Sequence, residues 1–307
     1  MTASVQQGHK LRRIRQNWQL YLFVLPAIII FLLFYYFPMY GVQIAFKDFR
    51  ANFGIAGSPW VGLKHFERFV NTSSFTLLMG NTLRISVLSL VIGFPMPILF
   101  ALLVNEIRSS RYRKVIQTIS YAPHFISTVV MVSMLTIFLN KNYGIVNTLI
   151  GYVGVGPYDF MTKGSWFASI YVISNVWQNL GWDAIIYIAA LSGVSVELHE
   201  AAMIDGATRM QRVWHINLPS ILPTVTIMLI LACGKIMSVG FEKVYLMQNA
   251  LNTSHSEIIS TFVYKAGLQS AQYSFSTAIG LFNSVINLIL LLTVNMLSKR
   301  LGDTSLW

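Results

Sequence analysis

Six apolar runs of bilayer length dominate the chain. They cover residues 20–37, 83–104, 121–139, 167–191, 221–239 and 275–297, each near the roughly 20 residues that a helix needs to cross a hydrocarbon core. Inside lipid every backbone N–H and C=O must find a partner within the protein, so only helices and closed barrels survive there. Apolar runs this long, without strict alternation, specify helices. Only 11% of the residues are charged, against about 25% in soluble domains. The expected fold class is therefore all-α integral membrane, with six transmembrane helices. A net charge of +11 would suggest nucleic acid in a soluble protein. Here the basic residues flank the apolar runs, where membrane topology accounts for them, and no nucleic-acid partner is expected. The single cysteine, Cys233, excludes an intramolecular disulfide.

Lysine and arginine set the orientation. They are more numerous on the face carrying Lys10, Arg12, Arg13, Arg15, then Arg108, Arg111, Arg113, Lys114, then Arg209, Arg212, Lys299 and Arg300, although the opposite loops are longer. The positive-inside rule makes that face cytoplasmic, with both termini on it. The basic start and first apolar run resemble a signal peptide in layout. No small-residue cleavage site follows, only Phe37-Pro38-Met39-Tyr40, so this run reads as an uncleaved first span.

A polar stretch, residues 197–223, interrupts the pattern between the fourth and fifth spans. Glu197 and Glu200 precede Ala201, Ala202 and Met203, a helix start with anions where the dipole favours them. Gly206 can end that helix in the left-handed conformation. A short amphipathic helix carrying Val213, Trp214 and Ile216 is expected next, broken at Leu218-Pro219. The product is a helix-turn-helix on the cytoplasmic face with an apolar ridge. On chemistry alone it is an interfacial loop or a docking element. Its pattern is more specific. Glu200-Ala201-Ala202, then Gly206, then Ile216-x-Leu218-Pro219 resembles the signature loop of binding-protein-dependent ABC importer permeases, and Asp205-Gly206-Ala207 matches an extension frequent in the carbohydrate-uptake branch.

That resemblance implies a type I ABC importer transmembrane domain: a cytoplasmic segment 1–19, a six-span permease domain 20–300 with its coupling loop at 192–220, and a cytoplasmic tail 301–307. It implies a bacterial plasma-membrane subunit that moves a sugar or oligosaccharide. The implied partners are a second homologous permease, two cytoplasmic ATPase subunits, an extracellular sugar-binding protein and the lipid bilayer. Glu200, Ala201, Ala202, Asp205, Gly206, Ile216, Leu218 and Pro219 would couple to the ATPase. Val194-Ser195 departs from the Ile-Pro of many relatives and would loosen the helix entry. The stretch 59–66, with Trp60, Gly62 and Phe66, is similar to the outer segment of carbohydrate permeases, and 241–249 with 261–268 resembles a subgroup importing complex oligosaccharides.

Intramembrane ionisable groups are costly and so mark functional candidates. Asp183 lies in the fourth span and Lys235 in the fifth, at depths about 9 Å apart by helical rise. Pairing between spans and a shared substrate cavity both fit. Sugars are held by aromatic faces and by amide or charged groups, so Trp177, Asn179 and Trp182 join Asp183 as pathway candidates. In maltose-importing family members sugar contacts come from the spans on either side of the loop. Counted from Leu218-Pro219, those on the later span fall on Ala232, Lys235, Ile236 and Val239. A lysine there would favour an acidic sugar. Asn283 and Asn287 share a face of the last span and either bridge helices or line the pathway. Gly93, Pro95 and Pro97 would kink the second span.

No Gly-x-x-x-x-Gly-Lys-[Ser/Thr] loop occurs, and Gly234-Lys235 is followed by Ile236 within a span. ATP and magnesium would then belong to the partner ATPase, with no cofactor, metal site or catalytic residue in this chain. Three alternatives stay open: a permease for a peptide or amino acid, an ion-coupled carrier, which expects several intramembrane carboxylates, and a membrane anchor.

Overall fold

The computed structural model describes residues 16–302 and 305–306. The N-terminal segment through the basic residues 9–15, and residues 303, 304 and 307, lie outside the described residues. The described chain is helical, and its one β-bridge pairs Lys47 with Trp60.

Four helices are long and apolar enough to cross a membrane: α1 (Trp18–Phe46), α3 (Phe75–Asn105), α9 (Arg209–Cys233) and the final helix α13. Two bent pairs raise the count to six when each is taken as one crossing. The first pair joins α4 (Ser110–Tyr121) to α5 (Thr128–Phe138) across a 98° bend, and the second joins α7 (Gly164–Leu191) to α8 (Val196–Ile204) across 75°. Short helices fill the loops between crossings: α2 (Lys64–Val70), α6 (Ile145–Gly151), α10 (Phe241–Met247), α11 (Thr253–Ser256) and α12 (Ile259–Tyr264). The last helix, α13, spans Tyr273–Gly302.

The exterior is as apolar as the interior. The inward faces carry Thr82, Ser86, Ser174 and Gln178, while Phe23, Phe34, Leu103 and Ile173 are exposed. An apolar exterior suits a bilayer, where lipid replaces water as the solvent for those side chains. Toward the end of the bundle that carries the 192–220 loop, Ile98, Ala101 and Leu102 of α3 pack with Ala184, Tyr187 and Leu191 of α7 and Ile221 of α9. At the other end Ile85, Phe167, Tyr171, Val172, Val244 and Ile258 form a second cluster.

Three expectations need correction. The run 121–139 is not one straight helix. Pro123 sits in a 3₁₀ turn, Ala122–Phe125, and the chain swings through 98° there. The carbonyl of Ile126 freed by the break accepts from Gln178 Nε2 at 2.8 Å, so a buried amide replaces the lost helical bond. Pro95 and Pro97 lie inside α3, which runs from Phe75 to Asn105 as one element. A π-turn at Ser89–Gly93 widens the helix just before them and seats Pro95 at the start of the following α-segment, where its missing N–H costs nothing. Leu218-Pro219 does not end a helix either. A second π-turn, Val213–Asn217, precedes it, and α9 runs on to Cys233.

The fifth crossing ends at Cys233, not at residue 239. A Cβ on Gly234 would meet Leu291 Cδ1 at 2.5 Å, so glycine lets the end of α9 approach α13 closely. Asn287 then takes over the pairing: its Oδ1 accepts from Met237 N at 3.0 Å and its Nδ2 donates to Ser238 Oγ at 2.9 Å. The non-helical residues 234–240 are thus held by a side chain of the neighbouring span.

Candidate functional site: a cavity between the crossings

A cavity of about 460 Å³ lies among α3, α7, α9 and the segment 234–240. Irregular backbone at membrane depth is tolerated where it borders such a space. Ser86, Ser89 and Phe94 come from α3, and Tyr171, Asn175, Leu180, Asp183 and Tyr187 from α7. The α7 residues recur at helical spacing and so form one stripe. Ala232, Lys235, Ile236 and Val239, the four positions singled out by counting from Leu218-Pro219, all line it. Asp183 is the one acidic and Lys235 the one basic residue of the lining, and no ion pair joins them to each other.

Trp182 and Asn179 make contacts outside this lining. Trp182 stacks flat on His124, with ring centroids 4.2 Å apart and planes 4° apart. His124 Nδ1 lies 2.9 Å from Asn179 Oδ1, which sets its proton on Nδ1. Asn179 Nδ2 donates to Asn175 O and Oδ1. Trp182 and Asn179 therefore clamp the broken α4–α5 pair to α7 and stand outside the cavity lining, as does Trp177. Asn283 is also absent from the lining, and its Oδ1 is buried without a hydrogen-bond partner. Sequence reading missed Tyr171, Asn175 and Tyr187. Their shared stripe with Asp183 was the available signal, but the more conspicuous tryptophans lie off it.

At the outer edge, Tyr171 Oη accepts from Gly240 N at 3.2 Å. Lys243, in α10 outside the crossings, lies over the Tyr171 ring at 5.2 Å and donates to Tyr171 O at 3.5 Å. Burial pushes its ammonium down to about 8. The segment 59–66 packs on the end of α1, where Val61 N donates to Phe46 O at 2.8 Å and Lys47 lies 5.0 Å from the Trp60 ring centroid.

The 192–220 loop is built with helix caps at each turn. Ser195 caps α8, its Oγ accepting from Glu197 N at 3.2 Å, so the departure from Ile-Pro gives a defined entry rather than a loose one. At the other end Gly206 has φ +80°. Ala207 N donates to Ala202 O and Gly206 N to Met203 O, the two bonds of a left-handed glycine cap. Thr208 and Gln211 then close a capping box that starts α9. Glu200, Ala201, Asp205 and Pro219 are exposed, while Ala202, Ile216 and Leu218 are half-buried. Leu218 packs against the Ile98–Ile221 cluster of α3, α7 and α9. Met203, Ile204, Met210 and Trp214 remain exposed, Ile204 at 86%. Apolar side chains presented in this way on a polar face mark a contact surface.

Comparison with known proteins agrees with this layout. Residues 93–303 match the family described as binding-protein-dependent transport system inner membrane component. The chain belongs to this family. It is a multi-pass inner-membrane transport component. The polygalacturonan/rhamnogalacturonan transport system permease protein YteP of Bacillus subtilis (strain 168) is 44% identical over 292 residues, covering 95% of this chain and 91% of that one. Protein LplB of the same organism is 41% identical over 293 residues, covering 95% and 92%. A crystal structure of a bacterial ABC transporter that imports the acidic polysaccharide alginate superposes with a TM-score of 0.88 at 41% identity, covering 96% of this chain and 99% of that one. A second structure, with the same TM-score, identity and coverage, holds that transporter in complex with an alginate pentasaccharide-bound periplasmic protein.

Proposed function

We propose that this chain is one permease subunit of an ATP-driven importer for acidic oligosaccharides, which it accepts from an extracellular binding protein and passes into the cytoplasm. Its partners are a second, homologous permease, two cytoplasmic ATPase subunits and the binding protein. ATP and magnesium are bound by the ATPases, since this chain carries no phosphate-binding loop. Both termini and the 192–220 loop face the cytoplasm, following the lysine and arginine asymmetry.

The observation that carries the substrate class is Lys235 on the cavity wall. An ammonium on the wall attracts a carboxylate through a charge-assisted hydrogen bond and offers no matching charge to a neutral sugar. Asp183, Ser86, Ser89 and Asn175 supply acceptors and donors for hydroxyl groups, and Tyr171 and Tyr187 supply ring faces. Pectic chains and alginate, named for the relatives, are polymers rich in uronic acids. The loop transmits movement of the ATPases. Its exposed apolar ridge docks on them, Glu200 and Asp205 add charged contacts, and Leu218 anchors it to the crossings. A rigid loop shifting against a bistable bundle opens the cavity alternately to each side.

The test is uptake of a uronate oligosaccharide by the complete transporter. Lys235→Ala should lose most of it and Lys235→Arg should keep it. Unchanged uptake with Lys235→Ala would remove the acidic assignment.

A further inference from the structure

The cytoplasmic loop touches the rest of the bundle through one buried polar contact that its docking role does not use. Asn217 is 0% exposed. It ends the π-turn Val213–Asn217, and its Nδ2 donates to Glu106 Oε1 at 3.3 Å across 111 residues of sequence. Its Oδ1 is buried with no hydrogen-bond partner. A buried amide that satisfies only one of its groups is a costly way to fill space. A leucine or methionine would fill it without that cost. The amide is explained by the direction of the bond it makes.

Glu106 is the residue that terminates α3. Its N–H donates to Leu103 O, and Arg113 Nη2 donates to Ile107 O at 2.8 Å and Asn105 O at 3.4 Å, which ties the same corner to the start of α4. Nine residues back along α3, about 13 Å by helical rise, Pro97 stands on the cavity wall. Asn217 begins the α9 segment that carries Met228, Leu231 and Ala232 to the opposite wall. One hydrogen bond therefore fastens two walls of the cavity together at their cytoplasmic ends, next to the loop.

We infer that Asn217 and Glu106 form the joint that makes α3 follow α9 when the cytoplasmic loop moves. These are positioning residues: neither touches the cavity. Without the joint the loop still docks and ATP is still hydrolysed, but only one wall moves and sugar is not released in step. This inference rests on the importer reading given above.

The test uses the complete reconstituted transporter and reads sugar transported per ATP hydrolysed, with binding protein loaded with a uronate oligosaccharide. Asn217→Ala and Glu106→Ala should each lower that ratio about tenfold, within the range that coupling between sites produces, and the double variant should be no worse than either single one. Glu106→Gln keeps the accepting oxygen and should retain the ratio. Asn217→Asp sets two carboxylates against each other and should lower it. Adding Glu106→Gln to Asn217→Asp restores a donor facing an acceptor and should recover it. A fold-only role would reduce assembly or thermal stability without this pattern of loss and recovery. An unchanged ratio in Asn217→Ala overturns the joint. If that variant does not assemble, the swapped pair decides, and an assembled Asn217→Asp/Glu106→Gln complex as uncoupled as Asn217→Asp overturns it. A wild-type complex that does not respond to loaded binding protein overturns the importer reading instead.

Discussion

The hydroxyl of Tyr171 accepts the backbone N–H of Gly240 at 3.2 Å. The contact joins α7 to the non-helical segment that follows the fifth crossing, and both residues line the cavity. A Cβ on Gly240 would lie 2.9 Å from that hydroxyl, so the closeness depends on glycine. Tyr171→Phe removes one hydrogen bond, worth about 0.5–1.5 kcal/mol, and should loosen the segment without unfolding the bundle. Transport should fall several-fold with membrane insertion intact. A wild-type rate would reduce Tyr171 to a packing residue.

Lys243 makes stability depend on pH. Its folded value of about 8 lies below the ordinary 10.5 because burial disfavours the charged form. Between those two values the unfolded chain binds more protons than the folded one, so stability rises with pH across that window, and the penalty is fully present below it. Lys243→Met should raise the thermal midpoint at pH 7 and flatten its climb from pH 8 to 10. A steeper climb in the variant would contradict the sign.

The glycine cap of the 192–220 loop is required for its backbone and not for space. Gly206 has φ +80° and nothing within 4 Å of where a Cβ would stand. Asparagine tolerates this region, whereas a β-branched residue does not. Gly206→Asn should keep most transport and Gly206→Val should lose it, with both inserted normally. Equal transport in the two variants would show that the turn is not what the loop needs.

Gly181 is a matter of space. A Cβ there would meet the Ser120 carbonyl oxygen at 2.4 Å, where α4 crosses α7. Backbone cannot step aside as a side chain can. Gly181→Val should destabilise the purified protein by about 1–3 kcal/mol, the usual range for overpacking, read as a lower thermal midpoint in detergent.

The loop and the crossings were legible in the sequence because local chemistry fixes them. Gly206 had to end a helix, and apolar length had to mean a span. The cavity was half legible. Ala232, Lys235, Ile236 and Val239 line it as the count from Leu218-Pro219 implied. Which face of the fourth crossing borders the cavity is not legible locally, because packing decides it. Trp182 is held by His124, a residue whose partner is 58 positions away in sequence, and no local pattern announces that stack. The bends were misplaced for a related reason. Proline marks a risk to a helix, but whether the chain breaks, as at Pro123, or absorbs the ring through a π-turn, as at Pro95 and Pro219, depends on which neighbour satisfies the freed carbonyls. Glu106 and Asn217 drew no notice because a single buried hydrogen bond leaves no periodic trace.

The central claim is that the cavity serves ATP-driven uptake of an acidic sugar. It is tested most directly by ATP hydrolysis in the reconstituted complex of both permeases, the ATPases and the binding protein, compared across uronate oligosaccharides, neutral oligosaccharides and dipeptides. Stimulation by uronate oligosaccharides, lost in Lys235→Ala, is the expected result. Stimulation by neutral sugars or dipeptides with no response to uronates would contradict it.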